Sequence, residues 1–155
     1  MRTHIIQIHP VTRYNWEQAL EISLLENQKH LVPSITEGLA YAYIKPWDEA
    51  LDPYVLQIEE QVIGFFYLSY TPESLDNYWI GGFQIDKAFQ GQGMGKRALR
   101  AIIDFLTDKH PLCHVLSLTV ERDNHIAQHL YTSMSFVSEN LTNSDDEIIY
   151  RLRIR

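Results

Sequence analysis

Ile85-Asp86-Lys87-Ala88-Phe89-Gln90-Gly91-Gln92-Gly93-Met94-Gly95-Lys96-Arg97 sets three alternating glycines between a run that reads as a strand and a run that reads as a helix. Glycine lets backbone N–H groups turn toward an anion with no Cβ in the way. The N-terminus of the helix that follows adds unpaired donors and the positive end of its dipole. Together these make a phosphate cradle. Two familiar cradles do not fit. A nucleotide-triphosphate loop has a longer gap before its Gly-Lys pair than the three residues between Gly91 and Gly95, and Arg97 stands where it needs Ser or Thr. A dinucleotide fingerprint needs its third glycine where Lys96 stands. On these residues alone, a plain glycine turn remains the alternative.

Outward from the cradle, residues 93–107 carry Met94, Leu99, Ile102, Ile103 and Leu106 at helical spacing, with Pro111 soon after. Upstream, residues 54–59 and 62–70 read as a hairpin around Glu59-Glu60-Gln61, opened by Pro53. Residues 78–85 form the next strand. The Gly81-Gly82 pair within it predicts a bulge or a close approach by other backbone. Near the start, residues 3–9 predict a strand ended by Pro10. Asn15 with Gln18 has capping-box spacing and predicts a helix broken at Leu31-Val32-Pro33. Ser34 with Glu37 opens a second helix through Ile44, weakened by Gly38. Downstream, residues 112–120 read as a buried strand and residues 124–134 as a helix. A strand begins at Phe136-Val137, a turn follows at residues 143–146, and residues 147–154 form the last strand. The order β-α-α-β-β-β-α-β-α-β-β predicts a single mixed α/β domain over residues 1–155, without repeat or linker.

Composition narrows the partners. Of 155 residues, 45% are hydrophobic and 21% charged, which suits a folded chain. Thirteen Lys and Arg against 20 Asp and Glu leave a net charge of −7, which argues against a broad nucleic-acid surface. The same charge suits a cationic substrate, or simply solubility. Cys113 is the single cysteine, which fits a reducing compartment, and it reads as core. No window approaches the roughly 18 to 20 apolar residues of a membrane span. The first nine residues do not read as a signal peptide, so no membrane association and a cytoplasmic protein are expected. His125 and His129 have metal-ligand spacing but lack the zinc-protease glutamate, so no metal site is expected.

Gln90-x-x-Gly93-x-Gly95 resembles the acetyl-CoA motif of the GNAT N-acetyltransferase superfamily. Asn124, Ala127, Leu130, Tyr131 and Phe136 are similar to its second segment, N-x-x-A-x-x-L-Y-x-x-x-G-F, with Ser135 where glycine is usual. The strand order agrees as well, so the likeness spans nearly the whole chain. Asn15-Trp16, Glu26-x-Gln28-x-x-x-Val32, Ser34 and Ile85-Asp86 further resemble the bacterial polyamine (spermidine/spermine, diamine) N-acetyltransferases.

The resemblance implies a mostly antiparallel sheet with helices on both faces, and a splayed parallel strand pair that holds acetyl-CoA as co-substrate. Phe83, Gln84 and Ile85 would follow the pantetheine arm. Gln90, Gly91, Gln92, Gly93, Met94, Gly95 and Lys96 would form the pyrophosphate cradle, with Asn124 and Tyr131 completing the cofactor wall. Tyr131 would be catalytic, donating a proton to the leaving thiolate, since a phenol with pKa near ~10 stays protonated at neutral pH. Packing with a locally satisfied hydroxyl is the plainer role for the same residue. Glu26 and Gln28 would contact a small-molecule amine, for which spermidine or spermine is the first expectation. Other small amines, drugs or a protein N-terminus are alternatives, as is a non-catalytic acetyl-CoA sensor. A base is needed because an alkylammonium has a pKa near ~10.4. Glu26, Glu37 and Asp86 are candidates that the sequence does not separate. Superfamily members are often dimers, so the resemblance leaves a homodimer as a possible assembly.

Overall fold

The computed structural model describes residues 5–155. Thr3 and His4 of the expected first strand lie outside them. The chain forms β1 (Ile6–Pro10), α1 (Trp16–Leu20), α2 (Ile35–Ile44), β2 (Ala50–Ile58), β3 (Gln61–Tyr70), β4 (Tyr78–Ile85), α3 (Met94–Lys109), β5 (Val115–Val120), α4 (His125–Ser133), β6 (Val137–Thr142) and β7 (Ile148–Arg153). These strands make one sheet in the order β1-β2-β3-β4-β5-β7-β6. Every pairing is antiparallel except β4 with β5. This is the expected mixed α/β architecture.

The parallel contact is the feature that positions the site. Only Trp79 and Ser117 pair across β4 and β5. Beyond them both strands run on, to Ile85 and to Val120, without a shared ladder. The sheet therefore parts down its middle toward the C-terminal ends of two parallel strands, where open α/β sheets place their ligands.

Helices cover both faces. On one, α3 buries Ala98, Leu99, Ile102, Ile103 and Leu106, and α4 adds Tyr131, against Leu56, Phe66, Ile80, Leu116 and Leu118. On the other, Ala19 of α1 and Ile35 of α2 pack with Val55, Val62, Phe65 and Tyr67. Gly38 is where α2 comes closest, since a Cβ there would lie 2.8 Å from the Phe65 ring. Its weak helix propensity is offset by that approach.

The Ser34 cap forms as expected, with Oγ accepting from the Glu37 N–H at 3.1 Å. The expected helix from Asn15 to the Pro33 break does not. Asn15 spends its side chain on Thr12 N–H and the Pro10 carbonyl instead of closing a capping box. Only Ala19 of α1 is buried, and the helix ends after five residues. A 3-10 turn, Glu26–Gln28, follows within a loop. The Gly81-Gly82 pair produces a bulge: Phe65 pairs Gln84, Tyr67 pairs Gly81, and Phe66 alone faces Gly82 and Phe83. The close neighbour there is a side chain rather than backbone, for a Cβ on Gly81 would meet the Tyr67 ring at 2.3 Å.

Candidate active site at the parted strands

A cleft of about 620 Å³ opens where β4 and β5 separate. Phe83, Gln84 and Ile85 of β4, Gln90, Gly91 and Gly95 of the cradle, and Asn124 and Tyr131 of α4 all line it, so the chain brings together most of the expected cofactor residues. Gln92, Gly93, Met94 and Lys96 lie outside its lining. Gln92, Gly93 and Lys96 are exposed, and Met94 packs against the main core.

The cradle's geometry follows from its glycines. Gly91, Gln92 and Gly93 take φ of 88°, 53° and 76° in succession. That left-handed run turns consecutive N–H groups to one side, the concave arrangement that binds anions. Only Gln92 is there against its own preference. Met94 N–H closes on the Gly91 carbonyl and Arg97 N–H on that of Gly93. Among the described residues, no acceptor meets the N–H groups of Gln92, Gly93, Gly95 or Lys96. Unpaired donors at a helix start are what a pyrophosphate would satisfy, so the residues present fit acetyl-CoA.

Side chains brace this loop. Gln90 donates to the Ile85 carbonyl at 2.9 Å and exchanges a reciprocal amide pair with Gln28, both bonds 2.9 Å. Gln28 also accepts from Leu25 N–H. The loop after α1 is thereby tied to the cradle across the cleft. Asp86 accepts from Ser23 N–H and Ala88 N–H, which commits its carboxylate to the same junction. Asp86 N–H bonds Ile63 on β3, so by alternation the N–H of Ile85 is directed away from β3, toward the parting. Gln84 reaches the other way, donating to the Pro33 and Gly82 carbonyls.

Asn124 caps α4 by accepting from Ala127 N–H at 3.1 Å. Tyr131, one face of the same helix further on, is 8% exposed and packs against Phe136 and Tyr150. Burial pushes its phenol up to about 12, and its hydroxyl has no partner among the described residues. The plainer role of a locally satisfied hydroxyl is therefore not met. Ser135 at the missing glycine holds φ 74°. Phe136 N–H bonds Tyr131 and Ser135 N–H bonds Thr132, a Schellman ending, so the turn that a glycine would make is kept by a serine under strain.

Two expected contacts move. Glu26 is 89% exposed at its side chain and paired with Lys29 at 2.7 Å, off the cleft, which also lowers its pKa. Gln28 lines the cleft, but on the cradle's wall. Residues not singled out from the sequence complete the lining, chiefly Leu24, His30, Leu31 and Asp123. His30 and Asp123 approach to 3.6 Å across the opening. Their only sequence signal is closeness to Gln28, two positions before His30, and to Asn124, next to Asp123.

The sheet face that carries α1 and α2 holds another group. Tyr41 and Trp47 pack on Tyr67, with ring centroids 6.1 and 6.2 Å away. The Tyr41 hydroxyl donates to Glu37, and burial first, then the charges of Tyr41, Glu147 and Glu37, push the Tyr67 pKa up to about 12. Aromatic faces beside carboxylates suit an ammonium group.

The family profile described as "Acetyltransferase (GNAT) family" matches residues 16–136. A probable spermine N(1)-acetyltransferase of Bacillus subtilis subsp. natto (strain BEST195) is 31% identical over 140 residues, covering 84% of this chain and 87% of the relative. The spermine/spermidine N(1)-acetyltransferase of Bacillus subtilis (strain 168) is 30% identical over the same shares. The crystal structure of spermidine N-acetyltransferase from Vibrio cholerae, in complex with CoA and spermine, has a TM-score of 0.71 at 18% identity. It covers 94% of this chain and 92% of that one, a likeness of fold.

Proposed function

Because the chain belongs to the acetyltransferase (GNAT) family, an N-acetyltransferase family with acetyl-CoA as co-substrate, we propose that it acetylates a primary amine of a polyamine such as spermidine or spermine. The observation that carries the acceptor class is the similarity to two spermine acetyltransferases over 84% of the chain. The −7 net charge and the carboxylates near the cleft support it, since a polycation is drawn to such a field.

In this reading the unpaired N–H groups of the cradle, those of Gln92, Gly93, Gly95 and Lys96, hold the pyrophosphate. The strand from Phe83 to Ile85 pairs with the pantetheine arm, and the N–H of Ile85 donates to the thioester oxygen, where negative charge develops during attack. Gln90 keeps that strand end in place through its bond to the Ile85 carbonyl. Asn124 fixes the start of α4 and so the height of Tyr131. Tyr131 gives its hydroxyl proton to the departing sulfur. A phenol held near pKa 12 by burial keeps that proton at neutral pH until the sulfur takes it.

Release of free thiol from acetyl-CoA, followed with spermine, spermidine, a diamine, a monoamine, an aminoglycoside and a peptide N-terminus, tests the reading. The polyamines are expected to turn over fastest. Selective turnover of the aminoglycoside or the peptide would replace the acceptor class, and no thiol release with any amine would leave a binding protein.

A further inference from the structure

The β5–β7 ladder pairs Val120 with Ile148. One step further, beyond the ends of both strands, Glu121 stands opposite Glu147. Val120 and Ile148 belong to the core under α3 and α4, so both glutamates project to the other face. Thr119 confirms the side, its Oγ1 lying 3.5 Å from Glu147 Oε1. The two acids are held there by their neighbours. Arg122 grips Asp146 with two 3.0 Å bonds, and Asn143 donates to Glu147 Oε1 at 2.9 Å.

The parallel register shows what these acids face. Trp79 is level with Ser117, so Gly81 is level with Thr119, and Glu121 with Phe83 and Gln84 across the parting. That is the height of the strand end proposed above to hold the thioester. Beside it sits Tyr67, 7% exposed, with its ring over Gly81, where an added Cβ would lie 2.7 Å from the hydroxyl oxygen. That hydroxyl has no hydrogen-bond partner among the described residues. A side chain this buried, whose hydroxyl has no protein partner yet stays within reach of solvent, beside the Glu121–Glu147 pair, is a place where a polar ligand can bind.

We propose that Glu121, paired with Glu147, takes the proton from the acceptor's ammonium group, and that the amine reaches the thioester from the sheet face on which Tyr67 lies. The proposal rests on the amine-acetyltransferase reading and supplies its missing base. The ammonium gives one proton to Glu121. The freed lone pair forms the C–N bond, and the C–S bond breaks with its electron pair on sulfur. The sulfur takes one proton from Tyr131, and the nitrogen gives up its second proton, which restores Tyr131 through solvent. One proton leaves per turnover, from Glu121.

The surroundings tune Glu121 for this work. Burial raises its pKa first, and the Glu147 charge and hydrogen bond, then Asp123, raise it further, while His30 lowers it. A carboxylate made more basic is a better proton acceptor.

The test is the pH profile of kcat/KM for spermine in wild type, Glu121→Gln and Glu147→Gln, with CoA affinity by calorimetry. Glu121→Gln is expected to lose about 10²-fold or more in kcat at neutral pH, and to recover as pH nears the amine's own pKa of ~10.4. Its CoA affinity stays at the wild-type value. Glu147→Gln is expected to stay active with its acid limb shifted to lower pH, because the partner charge that raised Glu121 is gone. A Glu121→Gln profile like wild type, or an equal loss at every pH, overturns the proposal. Should Glu121→Gln fail to fold, an unmoved limb in Glu147→Gln overturns it alone. Wild type without activity on any amine would refute the functional reading and this one with it. An active wild type with an indifferent Glu121 refutes only this one.

Discussion

Tyr131→Phe removes one oxygen from a ring that is 8% exposed and packed at a tilt against Phe136 and Tyr150. The hydroxyl has no partner among the described residues, so its loss breaks no internal hydrogen bond. Removing a hydroxyl that has no protein partner and stays within reach of solvent is close to neutral, and the ring's packing is unchanged. The melting temperature is therefore expected to hold. The rate is not. If the hydroxyl protonates the leaving thiolate, kcat falls by about 10²-fold, which is about 2.7 kcal/mol of barrier. The fall is read under single-turnover conditions, so that product release does not mask chemistry. CoA affinity is read by calorimetry and stays constant. The pH dependence has a sign of its own. The folded-state pKa of about 12 lies above the ordinary 10.0. The group's contribution to stability is full below pH 10 and is lost as pH rises toward 12, by roughly 3 kcal/mol at about 1.36 per unit. Tyr131→Phe lacks that component of the alkaline loss. A folded variant with wild-type single-turnover rate would refute the proton-donor role and leave Tyr131 as packing.

Three further outcomes follow from the cradle and the α4 ending. Gly93→Val meets no atom within 4 Å, yet φ of 76° is strained for a β-branched residue, so the cradle must open. CoA affinity by calorimetry is expected to fall at least tenfold, about 1.4 kcal/mol. Gly95→Ala, whose Cβ would make an ordinary 3.5 Å contact with Leu130 at a helical φ, is expected to keep that affinity within about threefold. Ser135→Gly relieves a left-handed serine, gaining about 1 to 2 kcal/mol and giving back about 0.5 to 1 in unfolded-chain entropy. The net is a melting temperature higher by roughly 2 to 4 °C with unchanged kcat.

The cradle was legible because its chemistry is local. Alternating glycines between a strand and an amphipathic helix leave few backbone solutions, and Gly91 and Gly93 adopt the positive φ that only glycine takes freely. The capping pattern of Ser34 and the apolar stripe of α3 are equally local, and both form. What the sequence could not display depends on distant pairing. Asn15 has a helix-starting spacing, but Thr12 and Pro10 compete for its side chain. Glu26 looks like an acceptor contact in the sequence, and the structure pairs it with Lys29 outside the cleft lining. Glu121 and Glu147 stand 26 positions apart, and only the β5–β7 register makes them neighbours. Gln28 meets Gln90 across 62 positions by the same kind of long-range closure.

The most direct test of the account is kcat/KM for acetyl transfer to spermine, spermidine, a diamine and a monoamine of similar length, each at low and high ionic strength. A bare charge pair at ~4 Å and an effective dielectric near ~20 is worth up to ~4 kcal/mol, most of it returned on desolvation. The expected series rises with each added ammonium group and flattens as salt screens the −7 field. Glu26→Gln, off the cleft, leaves that series as it is. A series that is flat at low salt, or faster turnover of a neutral or anionic acceptor, would contradict the polyamine assignment.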